Sequence, residues 1–249
     1  MKNIMITSLQ NERVKQFKKL HNKKERKKTN TFIVEGFHLV EEAHNSNWVI
    51  KEIIIQNSIE LPDMLEVYPI TRVSNAVFNH ISQTQSPQGI AAIVKMTQPR
   101  GSLSDKVLMV DGIQDPGNLG TIIRTADAAG FASIILGDKT VDMFNDKAVR
   151  ATQGSLFHVL VRYQNLQEAI SKLQRDGYSI WASALRNANI YNQVEPPEKL
   201  ALIVGNEGSG IQDHILDLAD ELIYIPIHGK AESLNVSIAA GVLMYYINS

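Results

Sequence analysis

The chain has 249 residues and no cysteine, so disulfide frameworks, thiol nucleophiles and thiolate metal sites are excluded, while the length suits one large or two ordinary domains. The net charge of −1 averages two unlike regions: residues 1–30 hold ten Lys or Arg against Glu12 and Glu25, a net of +8, leaving −9 for the rest. Such a basic end suggests an arm that meets phosphate, the plainer alternative being a solvated charged helix.

In chain order, Ser8 to Leu20 reads as a helix capped by Ser8, with Leu9, Val14, Phe17 and Leu20 at helical spacing. The basic segment that follows offers Lys23, Lys24, Lys27 and Lys28 as phosphate contacts. Thr31–Glu35 reads as a strand, Gly36 breaks it, and Phe37–His44 reads as a helix. Val49–Gln56 is an isoleucine-rich strand, and residues 57–70, broken by Pro62 and Pro69, have no clear pattern. Ser74–Ile81 is a Ser-capped helix, Gln83–Gln88 a polar loop, and Gly89–Lys95 a strand. Residues 1–96 therefore form a small α/β domain that carries the basic arm. Polar Thr97–Ser102, with Pro99 and Gly101, opens a linker over 97–105, and a second domain spans 106–249.

That domain begins with the apolar strand Val107–Val110, of the kind buried on both faces of a parallel sheet. Strands at Ser133–Leu136, Leu156–Val161, Tyr178–Ala182, Leu200–Val204 and Leu222–Ile225 alternate with helices near 118–129, 145–152, 165–176, 211–218 and 233–247. The pattern predicts an α/β fold with a mainly parallel sheet and helices on both faces. No apolar run approaches the about 18 residues of a membrane span, and the N-terminus lacks a signal-peptide h-region, so a cytoplasmic protein is expected.

Two strand ends open into small-residue loops. Leu200–Val204 drops into Gly205-Asn206-Glu207-Gly208-Ser209-Gly210, and Leu222–Ile227 leads through His228-Gly229 to Ser233-Leu234-Asn235-Val236-Ser237. Glycines admit close backbone approach, and free N–H groups at a helix start bind polar or anionic groups, so the pair reads as a cofactor cradle. A third stretch, Asn118-Leu119-Gly120-Thr121-Ile122-Ile123-Arg124-Thr125-Ala126, follows the turn at Pro116-Gly117. In this order the three stretches resemble the signature motifs of the SpoU (TrmH-type) RNA 2′-O-ribose methyltransferases, and the resemblance covers essentially the whole chain.

The resemblance implies a trefoil knot in the C-terminal domain, S-adenosylmethionine held in the knot loops, and a homodimer through the C-terminal domain. It also implies that residues 1–96 bind the RNA substrate, ribosomal RNA first and tRNA as the alternative. Arg124, which on its own reads as a surface ion pair with Asp127, then resembles the family's catalytic arginine. Asn118, Glu207, Ser233 and Asn235 join it as catalytic candidates, Ser233 otherwise reading as an N-cap and Glu207 as a cap or loop tie. Gly205, Ile225, Ile227 and Leu234 are expected at the cofactor, with Ala182 and Ser183 in its adenosyl pocket. A guanidinium is a poor base, so Arg124 is read as orienting the phosphate beside the target ribose.

Other classes fit less well. The spacing Gly-x-x-Gly-x-Gly at 205–210 reverses the dinucleotide-binding fingerprint and lies late in the chain. The seven histidines lack a ligand spacing, so no metal is expected, and no Gly-x-Ser-x-Gly elbow marks a hydrolase. A non-catalytic RNA-binding protein would have no need of Asn118, Arg124, Glu207, Ser233 and Asn235 together.

Overall fold

A computed structural model of the chain describes residues 5–97, 101–185 and 187–249. Lys2 of the basic arm, and residues 98–100 of the expected linker, lie outside the described residues. The chain forms two compact units, Met1–Thr97 with Phe144–Phe157, and Gln98–Met143 with His158–Ser249. Among the described residues no helix is long and apolar enough to cross a membrane.

In the first unit α1 (Glu12–Lys19) and α2 (Lys23–Thr29) precede β1 (Thr31–Glu35), α3 (Phe37–Asn45), β2 (Ile50–Gln56), β3 (Ile70–Val73), α4 (Asn75–Ile81) and β4 (Ile90–Lys95). The sheet order is β1-β4-β2-β3; β4 runs antiparallel to β1 and β2, and β3 runs parallel to β2. Residues 57–70 resolve into a 3-10 turn at Asp63–Leu65 and the start of β3, an edge strand whose four residues are too few to show a period in the sequence. The helix α1 starts later than expected. Asn11, not Ser8, accepts from Arg13 N as its N-cap, because Ser8 is already used in the preceding turn, taking the Gln10 N–H on its hydroxyl. Val14, Phe17 and Leu20 still face the core with Ile54, Val77 and Phe78, while Leu9 is exposed.

A helix over Asp146–Thr152, which its place in the sequence assigns to the 106–249 stretch, packs on β1 of this unit. Aromatic contacts hold its flanks: Phe144 lies 4.8 Å from Phe32, and Phe157 lies 5.4 Å from Trp48, centroid to centroid. Leu156 and Phe157 consequently leave the strand expected for them. Ser155–Phe157 is a 3-10 turn, and the strand begins at Leu160.

The second unit is a seven-stranded sheet. Its strands are β5 (Lys106–Val110), β6 (Ser133–Leu136), β7 (Leu160–Tyr163), β8 (Ser179–Ser183), β9 (Asn189–Ile190), β10 (Leu200–Val204) and β11 (Glu221–Tyr224). The order is β7-β6-β5-β10-β8-β11-β9, and every pairing is parallel. Its helices are α5 (Pro116–Ala128), α7 (Leu166–Arg175), α8 (Asp213–Leu216) and α9 (Val236–Ile247), the helix over 146–152 being α6. Helix α7 and Ile211 and Ile215 cover one face, over Val107, Met109, Ile180, Ala201 and Ile203. Strand alternation sends Leu108 and Leu202 to the other face, where α5 and α9 pack on each other. Their approach is close: a Cβ on Gly241 would stand 3.2 Å from Thr125 Cγ2.

Candidate active site

Three loops meet at the carboxyl ends of β8, β10 and β11. They bound a cavity of about 730 Å³ lined by Ser183, residues 205–211, Ile225, Ile227 and residues 232–236, with Leu216 and Ala239 from the flanking helices. The size suits a nucleoside-bearing small molecule, and the lining pairs apolar side chains with a few polar ones, as such pockets do.

Of the residues expected at the cofactor, Gly205, Ser183, Ile225, Ile227 and Leu234 line this cavity. Ala182 does not. It is fully buried in the core beneath α7, because alternation along β8 turns it inward and leaves only the terminal Ser183 at the opening.

The loop 205–210 is held differently from a helix-start cradle. Asn206 Oδ1 accepts from Gly208 N (2.9 Å) and Ser209 N (3.0 Å), and its Nδ2 donates to Gly112 O at 2.8 Å. Gly210 N donates to Asn206 O, so the N–H groups of residues 208–210 are consumed within the loop. The helix that follows has only four residues. Gly205 is needed for the same closure: a Cβ there would fall 2.3 Å from Gly210 C and Ile211 N. Asn206 was the side chain the sequence did not mark, since its role depends on a tight loop whose shape no periodicity reveals.

Glu207, Asn118 and Asn235 come from three separate motifs and form one chain of hydrogen bonds. Asn118 Nδ2 donates to Glu207 Oε1 at 3.0 Å, and Asn235 Nδ2 donates to Asn118 Oδ1 at 3.1 Å. Local structure sets each end. Asp115 caps α5 by accepting from Asn118 N at 2.9 Å, which starts the helix with Pro116 in its first turn. Asn235 caps α9, accepting from Ser237 N at 2.9 Å. Ser233 is therefore not the N-cap; it is exposed at the cavity rim, two residues before the cap Asn235.

The Glu207 carboxylate also faces the N–H groups of Gln114 and Asp115, each at 3.3 Å. It ties two loops together rather than capping a helix near Ile211. Partial desolvation pushes its pKa up, but the bonds from Asn118, its own N–H, Gln114 and Asp115 outweigh that and hold it below the ordinary carboxylate value. At neutral pH it is an acceptor already occupied by donors, which makes it a weak proton acceptor for chemistry.

Arg124 lies on the exposed face of α5 and, among the described residues, has neither a hydrogen bond nor an ion pair. The ion pair with Asp127 does not form. Asp127 accepts from His158 Nδ1 at 2.9 Å instead.

In the basic arm Lys23, Lys24, Lys27 and Lys28 are all exposed, and Lys28 has only a distant partner in Glu25 at 3.9 Å. Arg26 belongs to the fold: it is 3 % exposed and donates to the carbonyls of Leu20 (2.9 Å) and His21 (2.8 Å) at the end of α1. The polar loop Gln83–Gln88 is pinned by Glu35, which accepts from the hydroxyls of Ser82 and Thr84 at 2.6 Å each.

A wholly parallel sheet with helices on both faces, and a cavity where loops gather beyond its strand ends, defines a doubly wound α/β protein with a small-molecule site at that edge. The SpoU rRNA Methylase family model matches residues 105–245, and the MRM3-like substrate binding domain matches residues 11–92. The chain belongs to the SpoU rRNA methylase family, whose methyl donor is S-adenosylmethionine. It is 45% identical to the 23S rRNA (guanosine(2553)-2′-O)-methyltransferase RlmP of Bacillus subtilis, over 97% of this chain and 98% of that one. The AdoMet-bound rRNA methyltransferase from Sinorhizobium meliloti superposes with a TM-score of 0.89 at 31% identity, covering 98% of this chain and 97% of the other. A crystal structure of an RNA 2′-O ribose methyltransferase gives 0.85 at 26% identity, with 98% of both chains covered.

The cavity fits S-adenosylmethionine on its own terms. Ile225, Ile227, Leu216 and Leu234 offer apolar surface for a purine, and Glu232, Asp213 and Asn235 offer polar groups around it. The protein is an RNA 2′-O-ribose methyltransferase.

Proposed function

We propose that the chain methylates the ribose 2′-hydroxyl of a guanosine in 23S ribosomal RNA, the nucleotide corresponding to the one in the name of its Bacillus subtilis relative. What carries this reading is 45% identity extending over 97% of the chain, through both the MRM3-like and the methylase regions. Mapping 2′-O-methylated positions in RNA from cells with and without the protein tests it. Loss of one methylated guanosine in 23S RNA is expected, and loss confined to tRNA would overturn it.

The geometry supports the following residue roles. S-adenosylmethionine, when bound, supplies an electrophilic methyl group. Gly205, Ser183, Ile225, Ile227 and Leu234 shape the cavity that holds it. Glu207, Asn118 and Asn235 lock the three loops in register, and Ser233 stands free at the rim to meet RNA. Arg124 has its whole guanidinium available for a bidentate contact with the phosphate beside the target ribose, which aligns the hydroxyl for attack. The proton passes to a phosphate oxygen or to water, since Arg124 is too basic and Glu207 is already saturated with donors.

Lys23, Lys24, Lys27 and Lys28 add sequence-independent affinity by neutralising phosphates. The C-terminal sheet is threaded as a trefoil knot, a reading supported by the likeness to SpoU methyltransferase structures and by β10, late in the chain, lying between β5 and β8. The protein works as a cytoplasmic homodimer. Supporting this, α9 exposes Ile238 and Tyr245, which fall seven residues apart on one side of a helix that is otherwise packed on α5. Sedimentation at micromolar concentration checks the dimer.

A further inference from the structure

Asp111 follows β5 directly, is 3 % exposed, and plays no part in the chemistry above. Both its carboxylate oxygens are taken by a single residue. Gln212 N donates to Oδ2 at 2.9 Å and Gln212 Nε2 donates to Oδ1 at 2.8 Å. The other polar atom of the Gln212 side chain, Oε1, accepts from Lys139 Nζ at 2.8 Å, so an exposed amine backs a buried carboxylate through the amide between them. Meanwhile Asp111 N donates to Val204 O, carrying the β5–β10 ladder one residue past the strands.

The consequence for the cavity is geometric. The loop from Gly205 to Ile211 leaves the sheet at Val204 and returns at Gln212; its first end is fixed by the ladder and its last by the two bonds to Asp111. Between these points the backbone folds so tightly that Gly210 and Ile211 occupy the space a Gly205 side chain would need. Gln212 is also the residue before the short α8, whose Asp213 and Leu216 line the cavity, and no side chain caps that helix. Burying a carboxylate is costly unless it is hydrogen-bonded, and here the bonds are spent on one loop end alone.

We propose that Asp111 is a positioning residue for methyl-donor binding: its two-point hold on Gln212 sets the return of the 205–211 loop and so the shape of the cavity wall. The proposal rests on the reading of this cavity as the S-adenosylmethionine site. Both partners of the carboxylate are donors, so Asp111→Asn keeps the shape but sets an amide NH₂ against one of them. The double variant Asp111→Asn with Gln212→Glu restores complementarity, because the new amide donates to the new carboxylate, which also faces Lys139.

Calorimetry with S-adenosylmethionine, together with thermal unfolding of each protein, separates the possibilities. Asp111→Asn is expected to weaken binding about tenfold, the size of one lost charged hydrogen bond, and the double variant to recover to within about threefold of the unaltered protein. Turnover at saturating donor and RNA should change little in either. Unchanged affinity in a folded Asp111→Asn protein, with only its unfolding midpoint lowered, would make Asp111 a fold residue and overturn the proposal. Should that variant not fold, Gln212→Ala removes the amide side chain from the more exposed partner and is expected to weaken binding severalfold, equal affinity again overturning the idea. Absence of binding by the unaltered protein would overturn the reading of the cavity itself.

Discussion

The side-chain amide of Asn118 donates to the Glu207 carboxylate at 3.0 Å, across 89 residues of chain. The same amide accepts from Asn235 on its oxygen, so one residue on α5 joins the loops after β10 and before α9. Replacing Asn118 by Ala should cut this chain at its centre. Single-turnover methyl transfer is expected to fall about 100-fold, in the range of other misplacements of a reacting geometry, with the protein still folded. Asn118→Asp should do more harm than Ala, because it sets a second carboxylate against Glu207.

Glu207 titrates below the ordinary carboxylate value because donors surround its ionised form. A folded-state pKa that is depressed stabilises the folded loops fully above the unfolded value and is lost as pH falls through the lowered one. Carboxyl-carbon NMR should therefore show Glu207 titrating at the acid end of the range. In Asn118→Ala the midpoint should move up, the direction expected when a donor to the charged form is removed.

Arg124 has no partner to lose within the described structure. Arg124→Ala is expected to shift stability by less than about 0.5 kcal/mol, to leave S-adenosylmethionine affinity unchanged, and to remove most methyl transfer at saturating RNA. Arg124→Lys keeps the charge without the planar fork, and poor rescue is expected if the contact is bidentate. Single-turnover rates, thermal unfolding and calorimetry with S-adenosylmethionine check these outcomes.

Gly205 is constrained by its own loop. Gly205→Ala brings a methyl group to 2.3 Å from backbone atoms of Gly210 and Ile211, which no side-chain rotation relieves. The variant should lose donor binding and also stability, by about 1–3 kcal/mol for an overpacked site. A folded variant of unchanged melting temperature would contradict this account of the loop.

In the basic arm two kinds of cation separate by experiment. Replacing Lys23, Lys24, Lys27 and Lys28 with Gln should flatten the salt dependence of RNA binding without altering the unfolding midpoint, because these side chains are exposed. Arg26→Gln should instead destabilise the first unit by about 2–3 kcal/mol, since its charged bonds to Leu20 and His21 carbonyls are buried.

Much of the fold was legible in the amino-acid order. Apolar runs mark β5, β6 and β10 within a residue or so, because a strand buried on both faces of a parallel sheet must be largely apolar, and the Ile53–Ile55 run marks β2. Ser74 announces α4, since a hydroxyl before an apolar periodic segment satisfies an otherwise orphaned N–H. The three motifs at 118–126, 205–210 and 225–237 carried the family, and with it the residues worth placing.

What tertiary structure alone decided are the matters that depend on which distant atoms meet. Phe144 and Phe157 take α6 into the first unit because Phe32 and Trp48 form an aromatic surface there, a preference no local pattern encodes. Ala182 and Ser183 are adjacent in sequence, yet pleating turns one into the core and leaves the other at the cavity. Glu207 is a loop tie because Asn118, Gln114 and Asp115 converge on it, and Asp127 pairs with His158 rather than with Arg124 one helical turn away. Propensity and periodicity act over a few residues, whereas hydrogen-bond partners of a polar side chain are chosen by the folded chain as a whole.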